Sequence, residues 1–309
     1  MKIIMDMGTT NTRMYLVDGD KHIDTERLDM GASVTIKMGH DFLFENLRGA
    51  LKNILERNNL KESNLENVTA FGMAGSELGI HDVARIPLPV NAKKLSESMV
   101  KLSLPQFCSC PVFVIPGVLY PSESGEALEI MRGEETEIMG LDDDIFQAEN
   151  TVVLLPGTHC KSISVDKTHT ITKFISGMSG EMMEVLSKHT ILSAKCDIKN
   201  SNNFEEQIRG ATFCKNDGMN SALLNIRTQQ ACTNRSVEEI SSFFVGAVLY
   251  PEIENIINKN PDAVFYVGGK KVLRDLYENL LKHFGAKNVY DLDGAENLGL
   301  KGAIKISNM

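Results

Sequence analysis

Apolar residues along the chain gather in short runs between polar turns, and the period within each run predicts the element it forms. Lys2–Asp6 and Thr12–Asp18 bracket a tight polar turn and predict two strands, with Lys21–Leu28 as a third. Between Asp41 and Asn58 the period becomes helical, with Phe42, Leu47, Leu51, Ile54 and Leu55 on one face. Val68–Met73 predicts a strand that runs into the loop "GMAGSELG". Ala92–Leu102 reads as a helix, and Pro111–Ile115 as a buried strand closed by Pro116-Gly117. Ser124–Gly140, "SGEALEIMRGEETEIMG", predicts the next helix.

Thr151–Leu155 and Lys161–Val165 then repeat the opening device of strand, glycine turn and strand, followed by Thr170–Ile175 and a helix over Ser179–His189. Residues 196–235 are Asn-rich, with helices expected over Phe204–Cys214 and Asn220–Arg227. A long helix over Ser236–Ile257 precedes a strand (Ala263–Val267), Gly268-Gly269 and a helix (Lys271–His283). A last strand (Asn288–Leu292) and a terminal helix from Ala295 close the chain. The order is α/β in two lobes, 1–122 and 123–309, each opening with a Gly-Thr hairpin. The segment 294–309 is expected to pack back on the first lobe.

Composition narrows the function classes. A net charge of −9 over 309 residues disfavours a nucleic acid or a membrane surface as partner, since both select a basic face. The N-terminus meets Asp6 too early for a signal-peptide core, and no apolar run reaches the length of a membrane span, so a cytoplasmic location is expected. Six cysteines without C-x-x-C spacing read as reduced thiols rather than as a zinc site. Phe243, Phe244, Val248 and Leu249 share one helix and fit either core or a homodimer interface.

The first glycine turn, "MDMGTTNTRMYLVD", is neither a Walker A nor a Rossmann loop, because both lead into a helix and this one leads into a strand. A hairpin turn still serves phosphate. Gly8 permits close backbone approach, successive N–H groups form an anion nest, and Thr9, Thr10 and Thr12 add hydroxyls. Asp6 beside such a turn suits a holder of Mg²⁺. A plain turn whose Asp and Thr satisfy their own backbone is the alternative. "LLPGTHCKSISV" is a second such turn with Lys161 just beyond it, and two of them imply one nucleotide gripped by two lobes.

On the expected 124–140 helix, Ala127, Met131, Glu134 and Ile138 share a stripe, which puts a carboxylate on an apolar face. Glu134 is then either a buried acid paired with Arg132 or Lys161, or a general base. Gly268-Gly269 between strand and helix would let a flat adenine lie against backbone.

These elements in this order resemble the actin-like ATPase superfamily of sugar kinases and chaperones, and most closely the 2-dehydro-3-deoxygalactonokinase family. The carrying stretches are "DMGTTNTR", "MAGSELG", "IPG", "MRGEETEIMG", "LLPGTHCK", "SGEMMEVL" and "FFVGA". The resemblance implies a two-lobed, ribonuclease H-like fold with mixed sheets flanked by helices and the active site in the cleft between lobes. It implies transfer of the ATP γ-phosphate to the 6-hydroxyl of 2-dehydro-3-deoxy-D-galactonate, with Mg²⁺. Where the family has "DWG" this chain has Asp6-Met7-Gly8, and Ser162 replaces the tryptophan after the "THCK" lysine.

On that basis Gly8, Thr9, Thr10 and Arg13 on one side, and Gly157, Thr158, His159 and Lys161 on the other, are expected at the phosphates, with Gly268 and Gly269 at the adenine and Asp6 at Mg²⁺. Glu134 is the expected base, with Glu135 as its rival. Ser76, Glu77 and Arg132 are expected to hold the sugar acid, Arg132 as a clamp on its carboxylate. The competing functions are a kinase of another sugar or sugar acid, a non-kinase actin-like ATPase, and an inactive sugar-binding regulator.

Overall fold

Ile3, Met5, Met7, Met14 and Leu16 are fully buried and alternate with residues of the opposite face, so Lys2–Met7 (β1) and Thr12–Asp18 (β2) pair as an antiparallel hairpin. Its register sets Arg13 opposite Asp6 and Thr12 opposite Met7, with Gly8 and Asn11 closing the turn through an N–H to carbonyl bond of 2.8 Å. Lys21–Leu28 (β3) adds to β2, and Asn67–Gly72 (β4) runs parallel to β1 on its other side. The computed structural model describes residues 1–292 and 297–309.

The chain divides into two compact units. The first comprises Met1–Ile145, His169–Lys173 and Ala295–Met309, and the second Phe146–Thr168 and Phe174–Gly294. In the first, Thr35–Arg57 (α1) covers the sheet, burying Leu43, Leu47, Leu51 and Ile54 against it. Ile86–Pro87 (β5), Ala92–Glu97 (α2), Val100–Leu102 (β6), Val112–Val114 (β7) and Val118–Pro121 (β8) follow. The six-stranded sheet has the order β3-β2-β1-β4-β7-β6.

Two expected helices are corrected here. Only Ala92–Glu97 is helical in the first, because Val100–Leu102 pairs antiparallel with β7. The 124–140 segment is a strand, Ala127–Met131 (β9), then a six-residue helix, Glu134–Met139 (α3). β9 pairs with β8 in a three-stranded sheet, β5-β8-β9. Gly133 separates the two elements at φ +116°, a conformation that side chains with a Cβ rarely adopt, so no continuous stripe links Ala127 to Glu134. The C-terminal Leu298–Ser307 (α9) packs beside α3 in the first unit, and the expected helix start at Ala295 lies outside the described residues.

The second unit repeats the plan. Thr151–Leu155 (β10) and Cys160–Val165 (β11) form a hairpin, extended by Ile171–Gly177 (β12), whose first residues lie in the first unit. Ser179–His189 (α4), Phe204–Asp217 (α5), Met219–Cys232 (α6) and Val237–Lys259 (α7) precede Val264–Val267 (β13), Lys271–His283 (α8) and Asn288–Asp291 (β14). The sheet order is β12-β11-β10-β13-β14, so β3-β2-β1-β4 recurs as β12-β11-β10-β13, with β10 antiparallel to β11 and parallel to β13 as β1 is to β2 and β4. α7 is the central core helix. Phe243, Phe244, Val248 and Leu249 are all buried among α5, α6 and α8 side chains, which answers the choice between core and interface. Its length and apolar composition would also suit a membrane span, but most of its surface is buried inside this unit.

Candidate active site

In the first unit the Gly8–Asn11 turn presents Thr9, Thr10 and Asn11 to solvent. The turn is braced from behind. Ala32 and Ser33 donate backbone N–H bonds of 3.0 Å to the carbonyls of Gly8 and Thr9, and the Ser33 hydroxyl adds 2.7 Å to Thr9. Gly31 makes that contact possible, because a Cβ there would lie 2.4 Å from the Gly8 carbonyl oxygen. Thr12 is fully buried with its hydroxyl on the Met30 carbonyl at 2.8 Å, so it holds the hairpin instead of joining the turn's exposed hydroxyls.

Asp6 accepts from the Arg13 guanidinium at 3.1 Å through Oδ2. Burial raises its carboxyl above the usual range, and Arg13 opposes that shift. β4 runs beside β1 to Gly72, and a Cβ at Gly133 would sit 3.4 Å from the Gly72 Cα, so the start of α3 closes on the same strand ends. Of the two acids there, Glu135 is fully buried. Both of its oxygens accept from the Gly133 N–H, at 2.9 and 2.8 Å, and Thr136 donates to one of them at 3.3 Å. Burial and Glu134 push its carboxyl up to about 7. Glu134 is half-buried, and its one hydrogen bond among the described residues is from the Arg132 N–H at 3.2 Å.

Glu137, one turn along α3, went unremarked in the sequence reading. Burial first, then the charges of Glu134, Asp6 and Glu135, push its carboxyl up to about 8. Glu134 and Asp6 therefore bear on one common neighbour, although they are far apart in sequence. The i, i+3 spacing of Glu134 and Glu137 was a readable signal, whereas Asp6 joins them only through the sheet.

Arg132 reaches back toward the 72–87 loop, where Nη2 donates to the Val83 carbonyl at 3.0 Å. Ser76 is buried and donates to the Met73 carbonyl at 2.7 Å within its own turn, while Glu77 is exposed and its carbonyl meets the His40 ring at 3.1 Å.

In the second unit the Pro156–His159 turn is held in the same manner. The Glu181 N–H donates to the Thr158 carbonyl at 2.9 Å, and a Cβ at Gly180 would lie 2.1 Å from the Gly157 carbonyl oxygen. Only glycine lets the first turn of α4 rest on this loop. Ser179 bonds to the Glu252 carboxylate of α7, which also accepts from the Tyr277 hydroxyl at 2.7 Å, so α4 is anchored at its start. His159 pairs with Glu181 at 2.7 Å on the surface. Lys161 is buried, with Nζ 2.6 Å from the Ser176 hydroxyl and over the Phe174 ring, so its head points along the sheet. Gly268 donates to the Leu154 carbonyl at 2.8 Å, which brings the Gly268-Gly269 junction to the strand that feeds the turn.

The geometry comprises two braced hairpin turns, one beside an acid cluster and one beside a helix start and a diglycine. A family model described as 2-keto-3-deoxy-galactonokinase matches residues 6–306. The chain belongs to that family. The 2-dehydro-3-deoxygalactonokinase of Escherichia coli (strain K12) is 22% identical over 259 residues, covering 82% of this chain and 80% of that one. A candidate 2-dehydro-3-deoxygalactonokinase of Rhizobium meliloti (strain 1021) is 24% identical over 309 residues, 97% and 95% of the two chains. A candidate 2-dehydro-3-deoxygalactonokinase from Sinorhizobium meliloti, known from its crystal structure, matches the fold with a TM-score of 0.80. Its identity is 20%, with 98% of both chains covered. A candidate N-acetylglucosamine kinase from Porphyromonas gingivalis matches at 0.50 with 15% identity and full coverage of both chains. The two-lobed α/β fold is shared with both of these candidate sugar kinases. The enzyme is a phosphotransferase with an alcohol acceptor, using ATP to phosphorylate 2-dehydro-3-deoxygalactonate.

Proposed function

We propose that the first unit of this kinase carries the reacting groups, with Glu134 as the base for the 6-hydroxyl of the sugar acid. The hydroxyl proton passes to the Glu134 carboxylate as the oxygen bonds to the γ-phosphorus. The bond from that phosphorus to the β,γ-bridging oxygen breaks, and ADP leaves with the electron pair. The observation that carries this assignment is the contrast between neighbouring acids. Glu135 is fully buried and spent on the Gly133 N–H, while Glu134 is accessible and bears, with Asp6, on the same neighbour.

Asp6 fits a Mg²⁺ ion of the kind that nucleotide sites use. Its Oδ2 is taken by Arg13, its Oδ1 has no hydrogen-bond partner among the described residues, and no group of three ligating side chains occurs among them. A single carboxylate beside phosphate oxygens and water is the usual arrangement for this ion. When bound, Mg²⁺ neutralises charge on the β- and γ-phosphates.

The exposed Thr9 and Thr10 and the backbone N–H groups of the Gly8 turn then serve phosphate oxygens, with Arg13 holding Asp6 in place beside them. In the second unit Gly157 and Thr158 serve phosphate, His159 lies at the turn's rim, Lys161 stiffens the strand behind it, and Gly268 and Gly269 accept the adenine. Arg132 holds the acceptor's carboxylate, with Glu77 available to its hydroxyls and Ser76 shaping the loop. Glu135 fixes the start of α3. Burial of the long apolar helix α7 within its unit supports a cytoplasmic location.

Glu134→Gln is expected to bind ATP normally and to lose turnover by about 10²-fold or more, the magnitude typical of a lost general base. Coupled ADP release with the keto acid measures it. Turnover close to that of the parent enzyme would remove Glu134 from this role.

A further inference from the structure

Arg132 and Arg85 present an electrostatic problem that the fold alone leaves standing. Nε and Nη1 of Arg132 are buried without a hydrogen-bond partner among the described residues, and so is Nε of Arg85. The two guanidiniums lie close enough for Arg85 to disfavour the charge on Arg132, which burial disfavours further. Glu135 and the exposed Asp82 offset this only in part. A buried donor without an acceptor is destabilising, and like charges add to that. The head of Arg132 fits where it does only because two glycines pack against it. A Cβ at Gly75 would sit 2.5 Å from Nη1, and one at Gly117 would sit 3.2 Å from the Arg132 Cβ.

Resting on the assignment of the acceptor site to the first unit, we propose that Arg85 is a second arm of the carboxylate clamp. Arg85 and Arg132 together grip the C1 carboxylate of the sugar acid and set the preference for acids over neutral sugars. The loop bearing Arg85 is the one whose Val83 carbonyl holds Arg132, so one backbone segment orients both arms. A carboxylate supplies two oxygens with about four acceptor sites, enough to satisfy the three buried donors at once. The clamp also lies two residues from Glu134, so fixing the acid end of the substrate limits where its hydroxyl end can reach.

The test compares Arg85→Gln and Arg85→Lys with the parent enzyme. Ligands are 2-dehydro-3-deoxy-D-galactonate, its C1 carboxamide and ATP, and binding of each is titrated by calorimetry alongside steady-state kinetics. For Arg85→Gln the affinity for the acid should fall about 10- to 100-fold, the size of a lost charge-assisted hydrogen bond. KM should rise correspondingly with kcat changed little, and affinities for the carboxamide and ATP should hold. Arg85→Lys should fall between, since an ammonium lacks the planar fork. It also serves as the deciding variant if thermal unfolding shows that the glutamine variant does not fold.

Acid affinity within twofold of the parent, or an equal loss for the carboxamide, overturns the clamp. A loss confined to ATP overturns it as well, because the anion would then be a phosphate. If Glu134→Gln keeps parental turnover, the assignment of the base fails while the clamp is still judged by binding.

Discussion

Glu135 shows how far one buried side chain can tune this enzyme. Its carboxyl sits at about 7 in the folded chain, raised first by burial, against an ordinary value of 4.5. Between those values the folded protein keeps a proton that the unfolded chain releases, so stability is fully present at pH 4.5 and declines as the pH rises toward 7. Above 7 it levels off. Glu137, pushed up to about 8, contributes in the same direction. Glu135→Gln retains an acceptor for the Gly133 N–H and should flatten the decline by about 1.4 kcal/mol per pH unit, the value of one proton. Denaturant unfolding at pH 5, 6 and 7 measures it, and an unchanged slope would show that Glu135 is not the proton held. At this scale the sequence was partly legible. Asp6 and Glu134 stand out because carboxylates beside glycine turns and apolar residues need a reason. Arg85 does not, because its meaning depends on which charges the fold sets beside it.

At the scale of elements, the hairpins and the longer helices followed from period alone, and α8 matches its expected range residue for residue. The misreading of 124–140 has a physical cause. "ALEIM" fits a strand or a helical stripe equally over five residues, and pairing with β8 decides for the strand. Gly133, inside the stretch expected to be one helix, has a positive φ that ends one element and starts another. A comparable constraint operates at Gly180. Gly180→Ala places a methyl group against the Gly157 carbonyl, so α4 must shift off the phosphate turn. ATP affinity should fall about tenfold or more while binding of the keto acid is kept. Calorimetric titration of each ligand checks this, and unaltered ATP affinity would detach α4 from nucleotide binding.

The molecule as a whole repeats one topology, and each copy is specialised. The first unit has acids and arginines near its turn, and the second has a helix start and a diglycine junction. Defects should therefore separate by unit. Thr158→Val is expected to weaken ATP binding several-fold and to leave acid binding intact, the reverse of the pattern expected at Arg85. A matched loss of both ligands in Thr158→Val would end that division of labour. The net charge of −9 disfavoured a polyanion as partner, and the first unit sets two buried arginines, Arg85 and Arg132, with unsatisfied donors near one another.

Each phosphate turn takes its shape from residues that lie outside it: Gly31 and Ser33 press on the first, Gly180 and Glu181 on the second. The instruction for the turn is thus stored some twenty residues downstream of the loop it shapes. Transplanting "DMGTTNTR" or "LLPGTHCK" into a foreign hairpin would carry the letters without the template. A short signature match in an unrelated chain therefore says little unless the downstream glycine accompanies it at that interval.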